Sequence, residues 1–282
     1  NLRNPRVVDY LLSCVSRWLE EFDIDGLRLD VAYCLDGDFL RALRRHCDGM
    51  GKSDFFLFGE VLGGDYRRLL GDGLLHSCTN YECFKGLWSS FNDRNLFEIA
   101  HSLHRLFSDE SWAICRGERL VSFADNHDVT RPATVLGDKG DLPLLYATLF
   151  AMPGIPTLYY GSEWGAEGDK TQGDAALRPA FDRPQWTGLT ETIARYIRVR
   201  GESAALRLGS FCNLHIQNRQ LAFLRTWEGE RVVFALNLDG AEGVVELGDH
   251  RGGAVDLLTG ERVELLSHQT LPTRTAAFWR LE

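Results

Sequence analysis

The chain has 282 residues, of which 44% are hydrophobic, so it can bury a large core in one large domain or two smaller ones. Its formal net charge of -9, with no block of lysine and arginine, argues against a nucleic-acid-binding protein. We recognise no signal peptide in the sequence and no apolar run long enough to span a membrane.

The seven cysteines are scattered through predicted helices and strands, and none forms a C-x-x-C pair. An odd, scattered set is typical of reduced thiols that serve as small core residues. The sequence therefore predicts a reduced, cytoplasmic protein.

Helices and strands are predicted to alternate over the first two-thirds of the chain. Asn4 and Pro5 mark the start of a helix, and its apolar residues from Val8 to Phe22 recur at a spacing that predicts one buried face. Short apolar strands are predicted at 24–29, 55–58, 120–123 and 155–160, with a weaker one at 75–79. Helical patterns separate these strands, and Asp36 or Asp38 can cap the helix after the first strand. The alternation predicts a parallel α/β fold.

After about residue 205 the pattern changes to short alternating strands. They are predicted at 221–226, 231–236, 244–247, 254–258 and 276–279, with turn pairs such as Asp239-Gly240 between them. We therefore expect an α/β domain at 1–204 and an antiparallel β-sandwich at 205–282.

The strand that ends at Asp30 organises the chemistry of the chain. Arg28 and Asp30 share one of its faces, because side chains alternate along a strand. Helical segments on both sides predict that both faces of this strand are covered. A buried ion pair costs desolvation energy and usually has a function. The alternative is a salt bridge that merely seals the end of the strand.

Acidic residues follow each of the four clear strands. Asp30, Glu60 and Asp128 follow the first three, and Glu163 follows the fourth. The carboxyl ends of parallel strands converge on one mouth, where α/β barrels place their chemistry. Two carboxylates across a cleft are what the cleavage of a glycosidic bond needs. We find no metal-ligand spacing, no phosphate loop and no Gly-x-Ser-x-Gly elbow, so the sequence predicts neither a metal nor a cofactor.

Four short motifs together resemble the signature regions of one family. In chain order they are Gly26-Leu27-Arg28-Leu29-Asp30, Phe58-Gly59-Glu60-Val61, Phe123-Ala124-Asp125-Asn126-His127-Asp128 and the segment from Gly154 to Gly165. Their order and intervals resemble the α-amylase superfamily of retaining glycosidases, above all its cyclomaltodextrinase, neopullulanase and maltodextrin glucosidase group. The resemblance implies the C-terminal part, about strands 4–8, of a (β/α)8 TIM barrel, followed by an all-β antiparallel sandwich domain.

The same resemblance implies a retaining hydrolase of α-glucosidic bonds in α-glucan oligosaccharides (maltodextrins). It makes Asp30 the nucleophile, Glu60 the general acid/base and Asp128 a third acid that holds sugar hydroxyls. Transfer of the sugar to another acceptor, and the choice between α-1,4 and α-1,6 linkages, stay open. The alternative is a catalytically inactive amylase-fold protein with a binding or assembly role, and the presence of all three acids favours the enzyme.

Four further residues are expected at the substrate. The resemblance implies that Arg28 supports the nucleophile and that His127 hydrogen-bonds the sugar, with Arg131 as a further supporting position. Tyr33 and Cys34 stand after the nucleophile where the group usually carries Asn-Glu, so the specificity of the group does not transfer directly.

The resemblance begins just before the fourth strand of the family's barrel, and we find no counterpart of the first three strands. We therefore expect the isolated chain to be inactive or nearly so, with its outer strands unpaired. Its expected partners are an α-glucan oligosaccharide and either a second copy of the chain or the missing half of the barrel. Neither nucleic acid nor a membrane is an expected partner.

Overall fold

The computed structural model describes residues 1–282, which form two compact units. The first unit comprises Asn1–Tyr81 and Glu118–Val121, and the second comprises Glu82–Gly117 and Ser122–Glu282. The predicted domain boundary between residues 204 and 205 stays a prediction.

A short parallel sheet forms the centre of the first unit. Its elements are α1 (Pro5–Phe22), β1 (Gly26–Leu29), α2 (Gly37–Asp48), β2 (Phe56–Gly59) and β3 (Ser77–Cys78), with single 3-10 turns at Ala32–Cys34 and Tyr66–Arg68. The strands lie in the order β1, β2, β3, and neighbours pair in parallel. Leu29 is in register with Gly59, so the next residues, Asp30 and Glu60, leave the sheet at the same edge.

Both helices of this unit begin where the sequence predicts. The Asn4 side chain accepts a hydrogen bond from the backbone N–H of Arg6, and Pro5 occupies the first turn of α1. Asp36 caps α2 in the same way by accepting from the N–H of Asp38. The predicted caps are therefore confirmed, with Asp36 rather than Asp38 as the cap of α2.

Two predictions about burial in this unit are wrong. Strand β1 is not covered on both faces, since the Arg28 side chain is 30% exposed and Leu27 and Leu29 are half-buried. The reason is that β1 is an edge strand that pairs with β2 alone. The apolar face of α1 is not buried either, because Val15 is its one buried residue and Phe22 is 63% exposed.

The remaining helices and two short strands precede the C-terminal sheet, and all their residues except Tyr81 and Val121 belong to the second unit. They are α3 (Tyr81–Asn92), α4 (Phe97–Phe107), β4 (Val121–Phe123), α5 (Pro132–Val135), α6 (Leu142–Ala151), β5 (Ile155–Thr157), α7 (Asp174–Leu177), α8 (Gly188–Glu202) and α9 (Ala204–Leu208). Strands β4 and β5 pair with each other. Strand β5 is shorter than the predicted 155–160, and the centroids of the Tyr159 and Tyr160 rings beyond its end lie 4.5 and 5.4 Å from the guanidinium carbon of Arg131. No helix combines the length and the apolar character needed to cross a membrane.

Antiparallel strands make up the rest of the second unit. They are β6 (Ser210–Ile216), β7 (Gln220–Trp227), β8 (Glu230–Asn237), β9 (Gly243–Glu246), β10 (Gly252–Asp256), β11 (Arg262–Leu265), β12 (His268–Leu271) and β13 (Thr275–Leu281). Six of them form one sheet in the order β11-β10-β13-β8-β7-β6, and β12 pairs with β9. Side chains from both sheets, among them Val233, Val245, Leu271 and Trp279, share one buried core. Strands β6, β11 and β12 are not among the predicted strands.

Two buried arginines hold the end of α6, one from the C-terminal sheet and one from α8. Arg225, on β7, donates to the carbonyls of Ala151 and Gly209 at 2.8 Å and of Ser210 at 3.0 Å. Arg200, on α8, donates three hydrogen bonds to carbonyls at the same helix end. A helix leaves its last carbonyls without intrahelical partners and favours cations there. The two guanidinium groups satisfy these carbonyls in the protein interior.

We predict that Arg225→Met lowers the free energy of unfolding by about 3 kcal/mol or more, because three buried carbonyls lose their donor. Urea unfolding at pH 7 measures this change. The control is Arg280→Met, at an exposed position of β13, which should change stability by less than about 0.5 kcal/mol. Equal unfolding midpoints for the two variants would show that Arg225 does not hold the sheet to α6.

Candidate active site

Two carboxylates of the first unit are held by one arginine. The Arg28 Nη1 atom lies 2.5 Å from Asp30 Oδ1, and Arg28 Nη2 lies 3.0 Å from Glu60 Oε1. Because both nitrogens belong to one planar guanidinium, the two carboxyl groups are held at fixed positions on its edge. The parallel register of β1 and β2 makes this arrangement possible, since it brings both acids to the same end of the sheet.

The two carboxylates have different surroundings. The Asp30 side chain is 70% exposed, whereas the Glu60 side chain is 10% exposed. An open carboxylate can approach a substrate atom directly, and an enclosed one is shielded from water. Two carboxylates in unlike environments are what distinct nucleophile and proton-donor roles require.

Val31 holds the second oxygen of Glu60. Its backbone N–H donates to Glu60 Oε2 at 3.0 Å, and its φ of 48° places it in the left-handed region. A β-branched residue rarely adopts this conformation, which costs about 1–3 kcal/mol. Such strain persists where the surrounding structure over-determines it, and it clusters at functional sites. No motif in the sequence predicts this feature.

The backbone around the acids is closely packed. A Cβ atom at Gly59 would lie 2.5 Å from Ala32 Cβ and 2.6 Å from Leu75 Cδ1, so the position before Glu60 has room for glycine alone. Tyr33 lies in the 3-10 turn that packs here, and its side chain is 42% exposed. The expected role of Tyr33 at the substrate stays a prediction.

His127 and Asp128 form a separate cluster in the second unit. His127 Nε2 lies 3.0 Å from Asp128 Oδ2. Arg178 donates to Asp128 Oδ1 at 2.8 Å and to the His127 carbonyl at 3.2 Å. Both oxygens of Asp128 are thus oriented, while 35% of its side chain stays exposed. Sequence reasoning missed Arg178, because it lies 50 residues from Asp128 and no local pattern joins them.

Arg131 has a position different from the expected one. It is 0% exposed, so no surface is left for a sugar to contact. Its guanidinium donates to the Tyr160 carbonyl at 2.8 Å and to Ser162 Oγ and the Leu177 carbonyl at 3.0 Å. Arg131 therefore holds the backbone next to Arg178, which is a positioning role rather than the predicted substrate contact.

Asp125 lies behind this cluster and is 2% exposed. Ser162 Oγ donates to its Oδ2 atom at 2.6 Å, and Arg131 Nη1 lies 3.7 Å from the same oxygen. Burial raises the pKa of Asp125 to about 7, against the opposing effects of the Ser162 hydrogen bond and the Arg131 charge, and the Glu163 charge raises it further. No group of three or more His, Cys, Asp or Glu side chains in the structure is arranged to hold a metal ion.

Comparison with known proteins decides the family. The model of the α-amylase catalytic domain matches residues 1–188. The chain belongs to the α-amylase family. This match confirms the family that the four motifs indicate. The antiparallel β-domain lies outside residues 1–188, and a solved α-amylase structure that matches the whole chain covers it.

Two curated relatives and one solved structure illustrate the likeness of this α-amylase family chain. It is 29% identical over 253 residues to a cyclomaltodextrinase of Thermoanaerobacter pseudethanolicus, with 89% of this chain and 43% of the relative aligned. It is 32% identical over 273 residues to neopullulanase 2 of Thermoactinomyces vulgaris, with 92% of this chain and 45% of the relative aligned. The chain thus spans less than half the length of these relatives.

The crystal structure of an Anoxybacillus α-amylase matches the whole chain. The TM-score is 0.87 at 26% identity, covering 100% of this chain and 64% of the other. This match confirms the predicted fold class, in which (β/α)8-barrel elements are followed by an antiparallel β-domain.

The buried carboxyl group of Asp125 predicts a pH dependence of stability. The folded protein keeps this proton up to about pH 7, whereas the ordinary aspartate value is 3.8. The contribution of Asp125 to stability is therefore full below about pH 4 and is lost as the pH rises towards 7. The size of this loss is on the order of 4 kcal/mol.

Asp125→Asn keeps the shape of the neutral acid and has no proton to lose, so the variant should gain stability relative to the wild type as the pH rises from 4 to 7. Urea unfolding at several pH values measures the difference between the two proteins. Asp249→Asn, at an exposed position, is the control and should follow the wild type throughout. Parallel curves for Asp125→Asn and the wild type would contradict the buried-proton assignment.

Proposed function

We propose that this chain carries the catalytic carboxylates of a retaining α-glucosidic bond hydrolase that acts on α-glucan oligosaccharides. The observation that carries the proposal is the placement of Asp30 and Glu60 on one Arg28 guanidinium at the end of two neighbouring parallel strands. Retaining glycosidases need a nucleophile and a proton donor whose carboxyl groups are close together, about 5–5.5 Å apart. A shared guanidinium is a means of keeping two acids close.

In the first step, Asp30 attacks the anomeric carbon of the bound sugar, and the bond to the leaving oxygen breaks. Glu60 gives its proton to that oxygen, so the leaving group departs as a neutral alcohol. The exposure of Asp30 supports its role as the attacking group, and the enclosure of Glu60 supports its role as the donor. Arg28 keeps both groups oriented through the step.

In the second step, water attacks the anomeric carbon of the glycosyl ester on Asp30. Glu60 now accepts the proton of that water, and the sugar leaves with its original anomeric configuration. A sugar hydroxyl in place of water would give transglycosylation by the same chemistry.

The cluster in the second unit supplies sugar binding in this proposal. Asp128 accepts hydrogen bonds from sugar hydroxyls, and His127 contributes a further hydrogen bond, as the family resemblance implies. Arg178 orients Asp128, and Arg131 holds the backbone that carries Arg178. Tyr33 offers an aromatic ring on the side of the leaving group.

The names of the relatives support the substrate class, since they include a cyclomaltodextrinase and a neopullulanase. Because this chain spans less than half of their length, the activity is proposed for the protein that contains it. Pairing of the chain with a second copy, or with further barrel strands, stays a prediction.

The proton-donor role of Glu60 predicts a dependence on the leaving group. In a form of the protein that has the complete barrel, Glu60→Gln should lower kcat/KM for maltotriose by a factor of about 10²–10⁴, because a sugar leaving group needs a proton. An aryl α-maltoside with a nitrophenol leaving group should lose far less, since the phenolate departs without one. The comparison uses kcat/KM because it reports the step in which the leaving group departs.

Glu20→Gln is the matched control, since it makes the same chemical change at an exposed position of α1. It should leave kcat/KM unchanged for both substrates. If Glu60→Gln slowed both substrates by the same factor, Glu60 would not be the proton donor.

A further inference from the structure

The six-stranded sheet of the second unit has one covered edge and one open edge. Strands β6 and β11 lie at its two edges. Strand β6 lies against helix α4 and its C-terminal end, since the Asn213 side chain donates to the Ala100 carbonyl at 3.4 Å and Phe211 forms an isolated β-bridge with Ser108. Strand β11 pairs with β10 alone. Because an open edge can template pairing with another strand, β11 is a candidate interaction surface.

The backbone of β11 directs polar groups to this open edge at two residues. The N–H of Asp256, on β10, donates to the Glu261 carbonyl at 2.9 Å. In an antiparallel pair, alternate residues direct their backbone groups to the same neighbour, so Val263 also faces β10. Arg262 and Glu264 therefore direct their N–H and C=O groups away from β10, to the open edge.

The same two residues carry opposite charges on one face of the strand. The Arg262 side chain is 83% exposed, and Glu264 is exposed as well. Arg262 Nη2 lies 3.1 Å from Glu282 Oε1, but an ion pair between exposed side chains contributes little. The guanidinium of Arg262 is therefore available to a second carboxylate that approaches the edge.

The charge pattern of β11 is complementary to itself. If two copies of β11 lie antiparallel about a two-fold axis at Val263, Arg262 of each copy stands opposite Glu264 of the other. Both residues direct their backbone groups outward, so each of these two pairs exchanges two backbone hydrogen bonds. A parallel arrangement would instead place like side chains beside each other. The antiparallel register thus satisfies the backbone and the charges together.

The surface beside β11 has room for a second strand. A groove of about 590 Å³ borders Glu264, and its lining includes Gly252 and Leu266. Leu266 follows β11 directly and is 60% exposed. In the antiparallel register it comes opposite Gly260 of the second copy, and no atom lies within 4 Å of the position of a Cβ at Gly260. The exposed leucine can therefore approach the second copy without displacing a side chain.

We propose that the β11 edge binds a second copy of this chain, by antiparallel pairing of Arg262–Leu265 that joins the two six-stranded sheets. The charges select this occupant, because an identical strand matches both of them, whereas an unrelated strand leaves a charge opposite an unsuitable side chain. A short strand pair buries little surface, so the dimer is reversible and its population depends on protein concentration. The surface lies within the second unit and does not involve the proposed catalytic residues.

Charge reversal tests the pairing, with sedimentation velocity of the full chain at a series of concentrations as the measurement. Arg262→Glu and Glu264→Arg each place like charges at both cross-strand pairs, so each should weaken the association about tenfold or more. The control is Arg280→Glu, which makes the same charge change at an exposed position of β13, two strands from the edge. It should associate like the wild type.

Mixing the two reversal variants should recover the association. A strand with acids at both positions then meets a strand with arginines at both, so an equimolar mixture should form a heterodimer as readily as the wild type forms its dimer. The double variant Arg262→Glu/Glu264→Arg should also associate like the wild type, because it restores both pairs. Unchanged melting temperatures would show that the single variants are folded.

Three outcomes would overturn the proposal. A wild-type chain that stays monomeric at every concentration would show that the charges of β11 only protect the edge. Association that neither single reversal weakens would place the contact on another surface of the chain. If the single reversals dissociated the dimer but neither the mixture nor the double variant recovered it, the cross-strand pairs between Arg262 and Glu264 would be wrong.

Discussion

The contact of one guanidinium with two carboxylates is the constraint on which the candidate active site depends. Arg28 can reach both Asp30 and Glu60 because β1 and β2 run parallel and in register up to Leu29 and Gly59. Charge-assisted hydrogen bonds of this kind are about twice as strong as neutral ones, and a guanidinium fixes their direction. The other oxygen of Glu60 accepts a hydrogen bond from the N–H of Val31, which has a left-handed conformation. Strain of about 1–3 kcal/mol is a modest cost for fixing a carboxylate of the candidate active site.

Arginines at backbone carbonyls have a related role in the second unit. Arg131, Arg200 and Arg225 are all buried, and each donates to two or more carbonyl oxygens at the end of a helix or strand. A guanidinium has five donors in a rigid fork, so it can satisfy several carbonyls that regular secondary structure leaves unpaired. Irregular segments are thereby held in fixed positions without further strands. In the case of Arg131 the segment held is the one that carries Arg178, which in turn orients Asp128.

The sequence predicts the features that depend on local order. The caps at Asn4 and Asp36 follow from residue type, and the placement of Asp30 and Glu60 at the ends of adjacent parallel strands follows from the alternation of helices and strands. It does not predict the features that depend on distant contacts. Arg178 meets Asp128 across 50 residues, and the burial of Arg131 follows from tertiary packing that no local pattern encodes. The unpaired outer edge of β1 is as the family resemblance implies, whereas the burial predicted for both of its faces is wrong, because apolar residues predict burial without identifying what covers them.

Trapping of the covalent intermediate tests most directly whether Asp30 is the nucleophile. A fluorinated α-glucosyl fluoride whose glycosyl–enzyme ester breaks down slowly would be mixed with the active protein, and the modified peptide would be identified by mass spectrometry. If Asp30 is the nucleophile, we expect one added sugar on its carboxyl group and no added sugar on the Asp30→Asn variant. A sugar attached to a different carboxylate, or turnover with inversion of the anomeric configuration, would contradict it.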